Sequence, residues 1–220
     1  MRKRLLAVYR RLYRHFGPQQ WWPGDGPFEV IVGAILAQNT SWANVEKAIT
    51  NLKEAGVLSP REMAALDSQE LAGLIRPSGY YRVKANRLHH FLAFFKERYE
   101  FSLEAMFNQP LSEVRESLLG VKGIGPETAD SILLYAGGYP IFVVDAYTRR
   151  IFSRHGFIRP GGTYEELQAL FMDALPRDAR LYNEYHALIV RAGKTSCLSR
   201  PRCEGCVLRS LEDQTPHFAE

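Results

Sequence analysis

The segment from Leu118 to Arg150, LLGVKGIGPETADSILLYAGGYPIFVVDAYTRR, constrains the chain most. Gly120, Gly123 and Gly125 crowd a turn between two helical stretches, and Val121 and Ile124 within it are apolar enough to pack back onto the flanking helices. Glycine tolerates positive φ, so successive backbone N–H groups in such a turn can face outward together. Pro126 suits the first position of a helix, where its missing donor costs nothing. Converging amides bind a phosphate oxygen without reading a base. A bare G-x-G would describe an ordinary helix–loop–helix corner; the string L-x-G-V-x-G-I-G-x-x-T-A, from Leu118 to Ala129, is far more specific. Beyond it, V-V-D-A-Y-T-R-R puts Asp145 at the head of another helix, either as its N-cap or as a reactive carboxylate.

The remaining segments read as helix. Leu5, Tyr9, Leu12 and Phe16 form one stripe, with Arg2, Lys3, Arg10 and Arg14 elsewhere on the turn. Val45, Ala48, Ile49 and Leu52 repeat at helical spacing before Gly56; so do Leu88, Phe91, Leu92, Phe95 and Tyr99, and Leu181, Tyr185, Leu188 and Ala192. Ser59 to Glu62 and Thr163 to Glu166 fit capping boxes. Only Ile141 to Val144 suggests a strand, and an all-α fold is expected.

With 220 residues, 46% of them hydrophobic, the chain can bury one sizeable core or two smaller ones. Its formal charge of +4 favours a polyanionic partner, weakly. No run of roughly 18 apolar residues appears, and charges interrupt the N-terminal MRKRLLAVYRRLYRHF, so no membrane association is expected. A cytoplasmic, nucleoid-associated monomer is the expectation.

At Leu118 to Ala129 and Asp145 the chain resembles the helix-hairpin-helix DNA glycosylase superfamily, which includes endonuclease III, mismatch adenine glycosylases and alkylated-base glycosylases. The resemblance runs from about Trp21 to Cys206. It implies two helical lobes with a DNA-binding cleft between them: residues 23–138 with the hairpin, and 1–22 plus 139–220 with the aspartate and the cysteines. It also implies a DNA N-glycosylase acting on double-stranded DNA that holds a damaged base flipped from the stack.

Two departures from endonuclease III refine that implication. Where bifunctional relatives carry a lysine that attacks the sugar, this chain has Glu127. A carboxylate forms no imine, so Asp145 with Glu127 at the lysine's place implies a monofunctional enzyme. Trp21-Trp22-Pro23, followed by A-Q-N-T-S-W with Trp42, resembles the 3-methyladenine glycosylase branch, whose equivalent residues sandwich an extruded purine. Stacking and cation–π attraction suit an electron-poor, positively charged alkylated purine. Core or interface anchoring is the other role open to these tryptophans. A bifunctional endonuclease III-like enzyme and a catalytically silent DNA-binding module are the alternatives.

The remaining site residues follow from the same resemblance. Gln38, beside Asn39, occupies the position of a glutamine that fills the vacated duplex, and Tyr80 that of a wedge between bases. A loop tyrosine half-buried on the next helix is the alternative for Tyr80. Lys84 and Arg87 could clamp phosphates, and Val121, Lys122, Gly123, Ile124 and Gly125 would meet the DNA backbone. Glu29, in the first turn of a buried helix, favours the helix dipole.

Cys197, Cys203 and Cys206 form C-x5-C-x2-C, a spacing that favours metal over disulfide. Many members of the superfamily close a 4Fe-4S cluster here with a fourth cysteine; Glu212 stands at that place. Three outcomes stay open: a cluster with Glu212 or Asp213 as an oxygen ligand, a zinc ion on the thiolates and His217, or no metal.

Overall fold

The computed structural model describes residues 1–19, 21 and 24–209. Among the described residues there are twelve α-helices, one 3-10 turn, one π turn and no strand, so the protein is all-α. The chain divides into two units, one made of Met1–Trp21 and Pro140–Glu220, the other of Trp22–Tyr139.

The Trp22–Tyr139 unit contains α2 (Pro27–Leu36), α3 (Trp42–Glu54), α4 (Pro60–Ala65), α5 (Ser68–Leu74), α6 (Tyr81–Tyr99), α7 (Leu103–Phe107), α8 (Leu111–Leu119) and α9 (Pro126–Ser131). Helix α2 is its centre: every residue from Val30 to Leu36 is buried, as an all-apolar helix requires, and α3, α6 and α9 pack around it. Helices α3 and α6 present the apolar stripes read from the sequence, with Val45, Ala48 and Leu52 buried on the first and Leu88, Phe91 and Phe95 on the second. The rings of Phe91 and Phe95 stack at 5.5 Å. A 3-10 turn, Arg76–Ser78, leads toward α6, and α9 runs directly into the π turn Ile132–Ala136.

The other unit is formed by α1 (Arg2–Phe16), α10 (Ala146–Arg154), α11 (Tyr164–Met172) and α12 (Ala179–Thr195). Helix α1 lies on α12, where the Tyr185 hydroxyl donates to the Leu5 carbonyl at 2.8 Å and the rings of Tyr9 and Tyr185 meet at 5.3 Å. The core here is aromatic, with Phe142 and Phe171 stacked at 3.8 Å and Phe152 edge-on to Phe171 at 4.7 Å. Helix α10 approaches α12 closely because Gly193 has no side chain; a Cβ there would lie 2.3 Å from the Tyr147 ring.

Ile141 to Val144 is not a strand. The segment is buried, but side chains rather than a neighbouring strand satisfy its backbone: Gln168 Nε2 donates to the Phe142 carbonyl at 2.7 Å, and the Val144 amide donates to the Tyr164 hydroxyl at 3.4 Å. Helix entry follows the sequence more faithfully. Thr163 and Glu166 close a full capping box, Ser59 accepts from the Glu62 amide at 3.4 Å, and Asp67 with Glu70 forms a further box.

Candidate functional site

The turn between α8 and α9 is built as its glycines require. Val121 and Ile124 are buried beneath it, while Lys122, Gly123 and Gly125 are exposed. Of the three glycines, only Gly123 needs positive φ, at +94°, and a Cβ there would lie 2.5 Å from Arg87 Cγ. Among the described residues, the N–H groups of Gly123 and Gly125 have no acceptor within the chain, whereas Ile124 N donates to the Val121 carbonyl at 3.0 Å. Two unspent amides, on either side of Ile124 in an exposed turn, are suited to an anionic oxygen.

A buried ion pair fixes the flanking helices. Arg115 on α8 donates Nε to Asp130 Oδ1 at 2.7 Å and Nη2 to Oδ2 at 3.2 Å, and Asp130 on α9 is fully buried. The forked geometry locks both orientation and spacing. Sequence reasoning missed this pair, since nothing local joins positions fifteen residues apart.

Gln38 also serves the turn. Its Nε2 donates to Thr128 Oγ1 at 3.0 Å and to the Gly123 carbonyl at 3.4 Å, and its Oε1 accepts from Arg87 Nη1. The side chain expected to fill a vacated duplex is thus tied to the hairpin, and Arg87, expected on phosphate, braces it. Asn39 follows with φ +54°.

Lys84 corrects an expectation. It is 1% exposed and its Nζ donates to the Ser78 carbonyl at 2.6 Å, so its ammonium is spent inside the protein rather than offered to phosphate. Burial, with the Arg87 guanidinium nearby, pushes its pKa down to about 8. The cause lies in the neighbouring turn: Ser78 is itself buried, and its carbonyl needs a donor. Tyr80, two residues on, is the opposite case. It is 72% exposed, with left-handed backbone at φ +46°, and precedes the first turn of α6. The ring is exposed rather than half-buried on the next helix.

Asp145 caps α10. Its Oδ1 accepts from the Thr148 amide at 2.7 Å and the Thr148 hydroxyl at 2.8 Å, while Oδ2 lies 3.5 Å from His186 Nε2 on α12. The carboxylate is 13% exposed. Burial pushes its pKa up, but His186 and the Thr148 hydrogen bonds outweigh that and hold it below the ordinary carboxylate value. The group therefore stays ionised at neutral pH and keeps an edge open to solvent. His186, a single histidine on a helix with a largely apolar face, gave no signal in the sequence.

Glu127 is exposed in the first turn of α9. Trp42 begins α3 and lines a cavity of about 250 Å³ with Asp25, Glu29, Glu46 and Lys53. Trp21 belongs to the other unit, where the Lys194 ammonium sits 5.7 Å from its ring. Trp22 and Pro23 lie outside the described residues, as do Glu212, Asp213 and His217.

Cys197, Cys203 and Cys206 line one cavity of about 300 Å³ at the end of α12. Arg154 braces that end, donating to Cys197 Sγ at 3.2 Å and to the Leu198 carbonyl at 2.6 Å, and Arg150 Nε donates to the Cys197 carbonyl at 2.7 Å. Three thiols are suitable donors for an iron–sulfur cluster or zinc. Among the described residues no three His, Cys, Asp or Glu side chains stand close enough to hold a single metal ion.

Comparison with known proteins settles the family. Residues 32–177 match the model of the HhH-GPD superfamily of base excision DNA repair proteins. The chain belongs to that superfamily. It is similar to a provisionally named DNA repair glycosylase of Methanocaldococcus jannaschii, 45% identical over 208 residues and 94% of each chain. Endonuclease III of Thermotoga maritima is 31% identical over 84% of this chain and 81% of its own length. Among solved structures, the H. pylori 3-methyladenine DNA glycosylase MagIII bound to 1,N6-ethenoadenine superimposes with a TM-score of 0.74 at 31% identity, covering 86% of this chain and 97% of that one. A trapped endonuclease III–DNA covalent intermediate shares the fold, with a TM-score of 0.83 at 23% identity over 97% of both chains. This member of the HhH-GPD superfamily is accordingly a DNA glycosylase of base excision repair. Among the described residues, no helix is long and apolar enough to cross a membrane.

Proposed function

We propose that the protein is a monofunctional glycosylase that hydrolyses the N-glycosidic bond of alkylated purines flipped from duplex DNA, working as a monomer. The observation that carries this reading is the exposed carboxylate of Glu127 where an imine-forming amine would be needed. Trp42 on its cavity, and similarity to a 3-methyladenine glycosylase, support the choice of lesion.

The amides of Gly123 and Gly125, with exposed Lys122, hold the DNA backbone, and Tyr80 enters the stack as the damaged nucleotide leaves it. The bond between the sugar and the base nitrogen breaks with its electron pair going to the base. An alkylated purine is already cationic and departs neutral, so little acid catalysis is required. Asp145, ionised and fixed by Thr148 and His186, stabilises the oxocarbenium-like sugar. Water attacks the anomeric carbon, and the proton it releases passes to the carboxylate or to solvent. No step runs through a metal; iron and zinc analysis of purified protein tests whether the cysteines hold one.

The alternative of a bifunctional enzyme draws on the similarity to endonuclease III. One experiment separates the two. On a duplex with a single 3-methyladenine, strand breaks should appear only after hot alkali. Breaks without alkali, accompanied by a borohydride-trapped adduct, would establish lyase chemistry instead, and tight binding without base release would leave a silent DNA-binding module.

A further inference from the structure

The basic charge of the chain is concentrated on α1. Arg2, Lys3, Arg4, Arg10, Arg11 and Arg14 give that helix six cations among its fifteen residues, with no acid. The whole chain holds 28 basic and 24 acidic residues, so without these six the remainder carries 22 against 24, a formal charge of −2. The net positive charge therefore belongs to one element, and that element lies outside the unit that carries the hairpin.

At about 100° per residue, Lys3, Arg10 and Arg14 fall within about 40° of one another, on the side of α1 turned away from its buried Leu5, Val8 and Leu12. These three cations and Arg2 are exposed, and among the described residues none of the four is in an ion pair. From Lys3 to Arg14 the stripe runs about 16 Å, a length over which one strand of B-DNA presents about five phosphates along its axis. Tyr13, 40% exposed, adds an aromatic ring beside Arg14. The support is fixed: Leu5, Val8 and Leu12 are at most 1% exposed, and the Tyr185 hydroxyl holds the Leu5 carbonyl. Glu184 and Asp178 exert their charge at Tyr9, about 100° round the helix from Arg10, so they flank the stripe rather than pair with it.

This arrangement is unfavourable for α1 itself. The first turn of a helix carries partial positive charge and favours acids, yet Arg2, Lys3 and Arg4 occupy it. Arg4 finds the ring of Phe157 at 4.4 Å; among the described residues Arg2 and Lys3 have no such ring. A charge pattern that opposes its own helix and is left uncompensated at the surface is matched to an external anion.

We infer that the exposed stripe of α1 is a second surface for duplex DNA, gripping phosphates without reading bases or lesions and retaining the enzyme on undamaged duplex. A basic amphipathic helix can also lie on an anionic membrane, but it does so by burying its apolar face in lipid, and in α1 that face is spent on α12. What is left is charge, and the phosphate backbone is the part of DNA that charge alone recognises. The inference needs only DNA as substrate and holds whichever base is removed.

The test is binding to an undamaged duplex as a function of salt concentration. Lys3→Gln, Arg10→Gln and Arg14→Gln combined should lower the slope of log K against log salt by about 3 and weaken binding about tenfold or more at about 0.1 M salt. Arg14→Gln alone should lower the slope by about 1, which keeps the test open if the triple variant unfolds in urea earlier than wild type. Arg10→Lys with Arg14→Lys should keep the wild-type slope, since charge and not fork geometry is being read. A charge-matched control, Lys47→Gln with Arg61→Gln and Lys96→Gln, removes three exposed cations from α3, α4 and α6 and should change the slope by less than about 1. Single-turnover base release at saturating protein should stay within about twofold of wild type in the triple stripe variant, because the chemistry lies at Asp145. An unchanged slope in the stripe variants, or an equal fall in the control, overturns the inference. So does an unchanged slope accompanied by stripe-dependent binding to phosphatidylserine vesicles, which would assign α1 to a membrane surface. Failure of wild type to release 3-methyladenine would strike the alkylated-purine reading and leave this one standing.

Discussion

Lys84 carries a charge that its surroundings resist, and that resistance can be read in stability. Its pKa in the folded protein is about 8 against an ordinary value of 10.5, which the unfolded chain regains. Between those values the unfolded state binds the extra proton, so the contribution of Lys84 to stability rises with pH across that window; below about 8 both states are charged and the contribution is flat. Urea unfolding of wild type and Lys84→Met across this range should show wild type gaining on the variant as pH rises. A pH-independent difference would mean that Lys84 is not buried as an ammonium. At this scale the sequence was a partial guide. The turn at Gly123 and the cap at Asp145 announced themselves through turn chemistry and capping. The interior role of Lys84 did not, because it depends on the Ser78 carbonyl, which only the folded 3-10 turn buries.

The elements around the hairpin were easier to foresee than the forces between them. Apolar stripes at helical spacing placed α3, α6 and α12, and glycines with Pro126 placed the turn, because these signals are local. Ile141 to Val144 misled for the same reason: its apolar, β-branched run gives a strand signal, yet the Gln168 and Tyr164 side chains bond its backbone and, among the described residues, no strand pairs with it. The Arg115–Asp130 pair is non-local and so was invisible. It holds α8 and α9 at the spacing that aligns the amides of Gly123 and Gly125. Asp130→Ala should cost about 3 kcal/mol in urea unfolding, because it strands a partly buried guanidinium, and should weaken DNA binding in parallel. A loss well under about 1 kcal/mol would assign the hairpin's alignment to apolar packing alone.

At the scale of the whole molecule, the chain carries a formal charge of +4 and divides into two helical units. The family was legible from the hairpin string and the aspartate alone, since no other common motif combines them. The cysteines were less informative: their spacing suggests a metal, and the three share one cavity without three ligands close enough for a single ion among the described residues. The central claim is that the ionised carboxylate at 145 drives hydrolysis rather than merely capping α10, and Asp145→Asn separates these roles because asparagine caps nearly as well. Single-turnover release of 3-methyladenine from duplex DNA, with binding measured alongside, is the direct measurement. The account predicts affinity within about threefold of wild type and release slowed about a hundredfold or more. Release at the wild-type rate by a folded Asp145→Asn protein would contradict it.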